Sequence, residues 1–516
     1  MFKVNNLLLI MWNKINNSLL FYSENFYNND IYKNRNFIKQ IYFYYKNKGI
    51  KNILLSHIIN IIISIFLFFF IIFLFNCVEY KLLFKVSDYA KLTEFINWNN
   101  YFNFNMYFVC LFISFSIFII TKLINIIELT YTYNKIKHYY NINLNITDEE
   151  LEYIKWETVI NRMEKYNEES INIYKINSII LFYDNYLNAL FDNKIINIAH
   201  LTNLMEWNIQ YCILFKLFDK SEDNIKKNIY YRLRFVSIIN FIFMPFILIF
   251  ILFYNIFNYG EEFYNKPTLL TTRVFTKLAL WKFKYYNELP HDFDYRISKV
   301  IEPSNKYIKQ FKNDYINSFF KLIVFICSSF FIILITLSLI NDKLLLYIII
   351  FNNKSIIWFI SILASVIAIF KTNNTSLTEP KLYMNKISDY LHLDKKFVDE
   401  SNNKTIKTKF LTYYQYKIIN ILKDIVYTIL TPFRLWMLAN EIDNIFEFVT
   451  NNINHDNICK LADFNDESFG NIVNDDYEIN KTNVSLLYYN DLYPHWSNYM
   501  VKKINGQTNE LKMNVI

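Results

Sequence analysis

A chain of 516 residues of which 53% are hydrophobic and 19% aromatic has the composition of a membrane protein, not of a string of soluble domains. Its 54 Lys and Arg exceed its 46 Asp and Glu by eight, a surplus too thin over this length to mark a nucleic-acid binder, so the basic residues speak mainly to topology. Four glycines, Gly49, Gly260, Gly470 and Gly506, stand too far apart for a P-loop, a kinase glycine loop or a dinucleotide fingerprint. The five cysteines lack CxxC spacing and the seven histidines form no HExxH pair, so no metal, cofactor or hydrolytic centre is expected.

In chain order, the first long apolar run covers residues 53–75, enough to cross about 30 Å of hydrocarbon as a helix. A second covers 106–127, with Lys122 placed to snorkel. Helical periodicity follows at 156–163 and 179–190, where charged and amide residues fill the other face. The run at 235–257 is long enough to span but holds Pro245 near its middle, which removes a backbone donor and kinks a helix. Runs at 317–340 and 355–370 sit close together and read as a membrane hairpin. The run at 420–436 carries Lys423, Asp424, Arg434 and Pro432 and reads as an interfacial or re-entrant segment.

Charge sets the sidedness. Lys33, Arg35, Lys39, Lys46, Lys48 and Lys51 precede the first run, whereas residues 77–105 carry only Lys81, Lys85 and Lys91, so the N-terminal side is expected in the cytosol. A crossing at Pro245 would then place ten basic residues between Lys266 and Lys312 in the lumen. The expectation is an all-α polytopic membrane protein with four transmembrane helices, both termini cytosolic, and two re-entrant segments broken at Pro245 and Pro432. Its divisions are a cytosolic segment 1–52, a span 53–77, a lumenal loop 78–105, a span 106–127 and a cytosolic helical region 128–234. A re-entrant segment 235–258, a cytosolic basic region 259–316, a span 317–340, a lumenal loop 341–354 and a span 355–371 follow. A cytosolic helical region 372–516 holds the second re-entrant segment, 419–437.

At Trp281-Lys-Phe-Lys-Tyr-Tyr-Asn-Glu-Leu-Pro-His291 the sequence resembles the autophagy-related protein 9 family, with Trp281, Asn287, Glu288, Leu289, Pro290 and His291 as the motif positions. Cys77-Val-Glu-Tyr80, Lys155-Trp156-Glu157, Asn185-Tyr-Leu-Asn-Ala-Leu190, residues 204–208, 442–451 and 456–464, and Pro494-His-Trp496 continue the resemblance in order. It implies a homotrimer of Golgi- or endosome-derived vesicles and preautophagosomal membrane that scrambles phospholipids without ATP or a cofactor. A bridge-type lipid transfer protein and other autophagy factors are its implied partners. The family's fold has four transmembrane helices and two helices embedded from the cytosolic side. This chain departs from longer relatives in its short tails, and where some carry a charged cluster before Pro267 it has Tyr264, Asn265 and Lys266.

Lipid-path candidates are Lys266, Arg273, Lys277, Lys282, Lys284 and Lys321: Arg273, Lys277, Lys282 and Lys284 line a phosphate-drawing vestibule or, equally, make plain juxtamembrane contact with anionic lipid, and for Lys321 at the entry of the third span depth anchoring is the plainer role. Glu288 and His291 around Pro290 have no nucleophile or metal partner and read as a cap and turn. Ser328, Ser329, Ser361, Ala364 and Ser365 permit close helix approach or line a weakly polar pore. Besides a scramblase of autophagic vesicles, an ion channel or transporter and a non-scrambling scaffold stay open.

Overall fold

A computed structural model describes residues 35–83, 92–98, 106–167, 173–197, 201–218, 224–265, 272–311, 314–340, 349–351, 354–370, 379–393, 395–453, 459–464, 481–494 and 496. The chain forms two compact units, Met1–Asn60 with Ser116–Ile180 and Asn498–Ile516, and Ile61–Phe115 with Leu181–Ser497.

The first unit is built from α1 (Arg35–Lys46), the start of α2 (Ile50–Asn76), the end of α3 (Met106–His138), α4 (Trp156–Asn167) and α5 (Ile173–Ile180). Apolar and aromatic residues recur along α1 at helical spacing, so Phe37, Ile38, Ile41, Tyr42, Tyr44 and Tyr45 share a buried face. Tyr44 stacks on Tyr140 with centroids 5.0 Å apart and donates its hydroxyl to Asp148, while the Tyr140 hydroxyl donates to the Ile41 carbonyl at 3.0 Å. Gly49 makes the turn from α1 to α2 at φ +100°, where a Cβ would also come within 3.2 Å of the Asp148 side chain. Trp156 Nε1 donates to Asn177 Oδ1 at 3.2 Å and ties α4 to α5.

The second unit holds the rest of α2, the start of α3, and α6 (Phe182–Asp192), α7 (Asn203–Ile209) and α8 (Ile225–Asn265). After α8 come β1 (Arg273–Phe275), α9 (Lys277–Phe283), α10 (Pro290–Gln310), α11 (Asp314–Ile340), β2 (Ile349–Phe351), β3 (Lys354–Ser355) and α12 (Ile356–Phe370). It finishes with α13 (Pro380–Leu391), α14 (Lys404–Tyr413), β4 (Tyr414–Tyr416), α15 (Lys417–Leu438), α16 (Ile442–Asn451) and α17 (Lys481–Leu492). Strands β1 and β4 pair antiparallel with Arg273 opposite Tyr416 and Phe275 opposite Tyr414; β2 and β3 pair ahead of α12. Phe275, Phe283, Val300, Tyr307, Met384, Phe410 and Tyr414 form a core that binds α9, α10, α13 and α14 to the β1–β4 pair.

Among the described residues, four helical stretches are long and apolar enough to cross a membrane: Ile50–Asn76, Phe112–Asn143, Ile225–Phe257 and Ser318–Leu337. The helix α12, with 15 residues, spans about 22 Å, short of a 30 Å hydrocarbon core.

The break expected at Pro245 is not there. The helix α8 runs unbroken for 41 residues, and α15 likewise continues through Pro432. A proline inside a helix costs about 3 kcal/mol through one lost hydrogen bond and a clash, a local penalty that neighbours offset. Phe253 and Phe257 pack on Phe66 and Phe70 of α2, with Phe70 and Phe257 centroids 5.3 Å apart, and Ser237 donates to the Pro432 carbonyl at 2.6 Å. Near its start α8 meets the turn after α7, with Arg232 3.8 Å over the Tyr211 ring, and beyond its end Lys277 and Trp281 meet Glu206 of α7.

The helix α15 packs along α8 in the opposite direction, with Phe241 on Phe433, Arg234 over the Trp436 ring at 3.6 Å and Arg234 donating to Asn440. Thr428, Thr431, Pro432, Leu435 and Leu438 form its buried face, whereas Ile418, Leu422, Val426, Leu430, Phe433 and Met437 form an exposed apolar stripe.

Because the start of α8 and the chain beyond its end both meet α7 or the turn after it, cysteines placed at Lys227 and Thr272 in a cysteine-free background should react with impermeant reagent from one side of sealed vesicles. Labelling from opposite sides would show a full crossing.

Candidate functional site

The motif around Trp281 forms a layer held together by buried polar contacts. Thr276 caps α9, its hydroxyl accepting from the Ala279 amide at 3.2 Å, and Pro290 opens α10 at a position where no amide is needed. Between them residues 284–289 turn tightly, and Asn287 takes φ 57°, a left-handed conformation that asparagine tolerates better than most side chains. Its amide N–H donates to Asn185 Oδ1 at 3.1 Å, Asn185 Nδ2 donates back to Asn287 Oδ1 at 2.8 Å, and Asn287 Nδ2 donates to the Ala462 carbonyl at 2.7 Å.

Glu288 and Arg296 are each 2% exposed. Arg296 donates from Nε and Nη2 to the two carboxylate oxygens, both at 2.7 Å, a bidentate fork. Its remaining donors reach the Tyr390 and Phe283 carbonyls at 2.9 and 2.6 Å, and Glu288 also accepts from the Tyr285 amide at 3.0 Å. Burial opposes the Arg296 charge, but the Glu288 carboxylate more than offsets it and holds the guanidinium above its ordinary range. Next to the pair, burial and then the Glu288 charge push the Asp292 carboxyl up to about 7. His291 Nε2 lies 3.5 Å from Asp292 Oδ1. The geometry makes Glu288 a structural anchor.

The proposed cations are placed as follows. Arg273 lies 3.7 Å over the Tyr416 ring, and Lys277 is 3.7 Å from Glu206 Oε2. Lys282 donates to the Tyr413 hydroxyl at 2.6 Å, and Lys284 donates to Asp184 Oδ2 at 2.8 Å while lying over the Trp281 ring. These four share the α9 neighbourhood and each is committed to a protein partner. Lys321 is exposed on α11, apart from that cluster, and Lys266 lies outside the described residues. Along α11 and α12, which pack on each other, the hydroxyls of Ser328, Ser329, Ser361 and Ser365 donate to carbonyls of their own helices. Pro245 and Pro432 sit inside continuous helices.

Sequence reasoning missed Arg296 and Lys481. Arg296, Val300, Ser304 and Tyr307 recur at helical spacing on the buried face of α10, so a charge on an apolar face was the available signal. Lys481 donates to Asn188 Oδ1 at 2.6 Å and to the Trp281 carbonyl at 3.2 Å. Burial lowers its ammonium to about 8, opposed by Asp192 and reinforced by Lys284.

The raised Asp292 fixes the sign of a pH effect. Between 3.8 and about 7 the folded chain keeps a proton that the unfolded chain gives up, so this group's stabilisation is lost as pH rises through that window. Asp292→Asn should therefore raise the thermal midpoint at pH 8, with the gain shrinking toward pH 4. An equal gain at both pH values would contradict the assignment.

The family described as Autophagy protein ATG9 matches residues 28–465. The chain is 27% identical over 474 residues to Autophagy-related protein 9 of Saccharomyces cerevisiae (strain YJM789), covering 83% of this chain and 47% of that protein. To Autophagy-related protein 9 of Dictyostelium discoideum it is 25% identical over 527 residues, covering 93% of this chain and 74% of that protein. The chain thus spans about half the length of the budding-yeast relative. Its fold is similar to the cryo-EM structure of Schizosaccharomyces pombe Atg9, with a TM-score of 0.62 at 25% identity over 84% of this chain and 99% of that one. With the family match covering most of its length, the chain belongs to the Autophagy protein ATG9 family.

Proposed function

We propose that this autophagy protein is an ATP-independent phospholipid scramblase that lets the two leaflets of an autophagic membrane equilibrate while a bridge-type lipid transfer protein fills one of them. The supporting observation is how little of the membrane layer the chain buries on its own: within the most apolar stretch of α3 and of α11 no residue is buried. Apolar helices left this open must be covered by lipid or by further copies, and a closed homotrimer supplies two different faces per subunit for that. Lipid then meets helices that carry hydroxyls along α11 and α12 and a cation, Lys321, toward one end.

Moving a headgroup through hydrocarbon strips its hydration, and a charge at mid-bilayer costs about 2.5–3.5 kcal/mol even on lenient scales. A row of hydroxyls with admitted water replaces part of that hydration, so the barrier falls and lipids move down their gradient. Lys321 offers phosphate a first partner. Arg273, Lys277, Lys282 and Lys284 act in this reading as a fixed positive field behind the entry, their partners holding them in place. Vesicles of Golgi or endosomal origin and the preautophagosomal membrane are the proposed locations.

In proteoliposomes with tail-labelled lipid in both leaflets, an external quencher should remove signal from the inner leaflet without ATP and without ion leak. Loss confined to the outer leaflet would favour a scaffold, and ion leak without lipid exchange a channel. Replacing Lys321 with Leu should slow exchange while leaving the trimer intact; an unchanged rate would make Lys321 a depth anchor.

A further inference from the structure

Where α7 and the π-turn after it meet the start of α8, a cleft of about 450 Å³ opens between Trp207, Asn208, Tyr211, Arg232, Phe235 and Asn240. Its rim is aromatic and open to the outside, with Trp207 56% and Phe235 64% exposed. Its floor is polar and closed. Asn208 is 1% exposed, and neither its side-chain oxygen nor its nitrogen has a hydrogen-bond partner; the buried Asn240 Nδ2 and Arg232 Nε likewise have none. Trp207 and Tyr211 stack in parallel at 5.0 Å, and the Arg232 guanidinium lies 3.8 Å over the Tyr211 ring. Among the described residues no carboxylate lies within ion-pair distance of Arg232; its side chain hydrogen-bonds the Cys212 thiol, which burial pushes up to about 11 against the opposing effect of Arg232, so the thiol brings no negative charge at neutral pH.

Buried polar groups are nearly always satisfied, so a carboxamide whose two ends find no partner within the chain is suited to meet a ligand. Either orientation of the Asn208 amide leaves one acceptor and one donor, so a matching ligand supplies both an N–H or O–H and an oxygen. The Arg232 guanidinium selects an anion. From Phe235 the apolar run of α8 continues away from the cleft, a track for hydrocarbon.

We propose that this cleft is a binding site for one phospholipid whose headgroup carries hydrogen-bond donors, such as ethanolamine, serine or glycerol, in preference to choline. Phosphate sits on Arg232, the headgroup donor meets the Asn208 oxygen, and the amide nitrogens of Asn208 and Asn240 donate to phosphate or ester oxygens. Choline has the same phosphate but no donor, so it leaves the Asn208 oxygen unpaired. The site rests on the reading of the chain as a lipid-handling membrane protein and adds a headgroup preference to it.

The test titrates the purified full chain in detergent with dihexanoyl phosphatidylethanolamine, dihexanoyl phosphatidylcholine and inorganic phosphate, reading affinity by calorimetry. The ethanolamine lipid should bind about tenfold tighter than the choline lipid, the scale of one good hydrogen bond, with phosphate alone weakest. Asn208→Leu should abolish the preference while leaving choline-lipid binding, Arg232→Gln should weaken both lipids, and Asn240→Leu gives a second probe should Asn208→Leu fold poorly. Equal affinities for the two lipids, a preference that survives both Asn variants, or phosphate binding as tightly as lipid would each overturn the proposal. Scrambling measured on the same preparation separates this outcome from the function: exchange with no headgroup preference removes the site and leaves the scramblase.

Discussion

Arg296 keeps a full charge almost wholly out of water, and only the Glu288 carboxylate in bidentate contact at 2.7 Å makes that tolerable. Because the guanidinium also reaches the carbonyls of Phe283 and Tyr390, one side chain joins the end of α9, the motif turn, α10 and α13. The same turn presents Asn287 to Asn185 and Ala462, and Tyr286 to Ser485 of α17, so segments far apart in sequence close on one short loop. A buried pair of this kind adds little net stability over an apolar replacement, but losing one partner leaves the other charge stranded at a cost of about 3–5 kcal/mol. What it supplies here is register.

That register is transmitted toward the membrane. The strand β1, two residues before the start of α9 at its nearest, pairs with β4, which runs directly into α15, and α15 lies along α8. The apolar stripe of α15 is therefore tied through the β1–β4 pair to the polar layer around the motif. The exposed hydrocarbon on these helices is far more than a water-soluble surface tolerates, and a bilayer removes that cost at roughly 25 cal/mol per Å².

The membrane runs were legible because lipid demands length and hydropathy that no soluble segment needs, and the ends of α2 and α11 fall within a few residues of the apolar runs at 53–75 and 317–340. The continuity of α8 through Pro245 was not legible, because the packing of Phe253 and Phe257 on α2 cannot be seen in one segment. The motif was visible as a string, but not its chemistry. Lys284 and Asp184 stand 100 positions apart, Lys481 and Asn188 stand 293 apart, and a sequence shows the cation without its partner. The orphaned Asn208 was hidden for the converse reason, since absence of a partner exists only in three dimensions.

The dependence of the layer on its buried pair is tested most directly by a double-mutant cycle of Glu288→Gln and Arg296→Met on the full chain in lipid nanodiscs, with stability read from amide hydrogen exchange in α9, α10 and α13. The account predicts that each single variant loses about 3 kcal/mol or more of protection and that the double variant recovers much of it, the signature of one stranded charge removed with the other. Losses that simply add would contradict it, and the motif turn would then have to be held by the Asn185–Asn287 contacts alone.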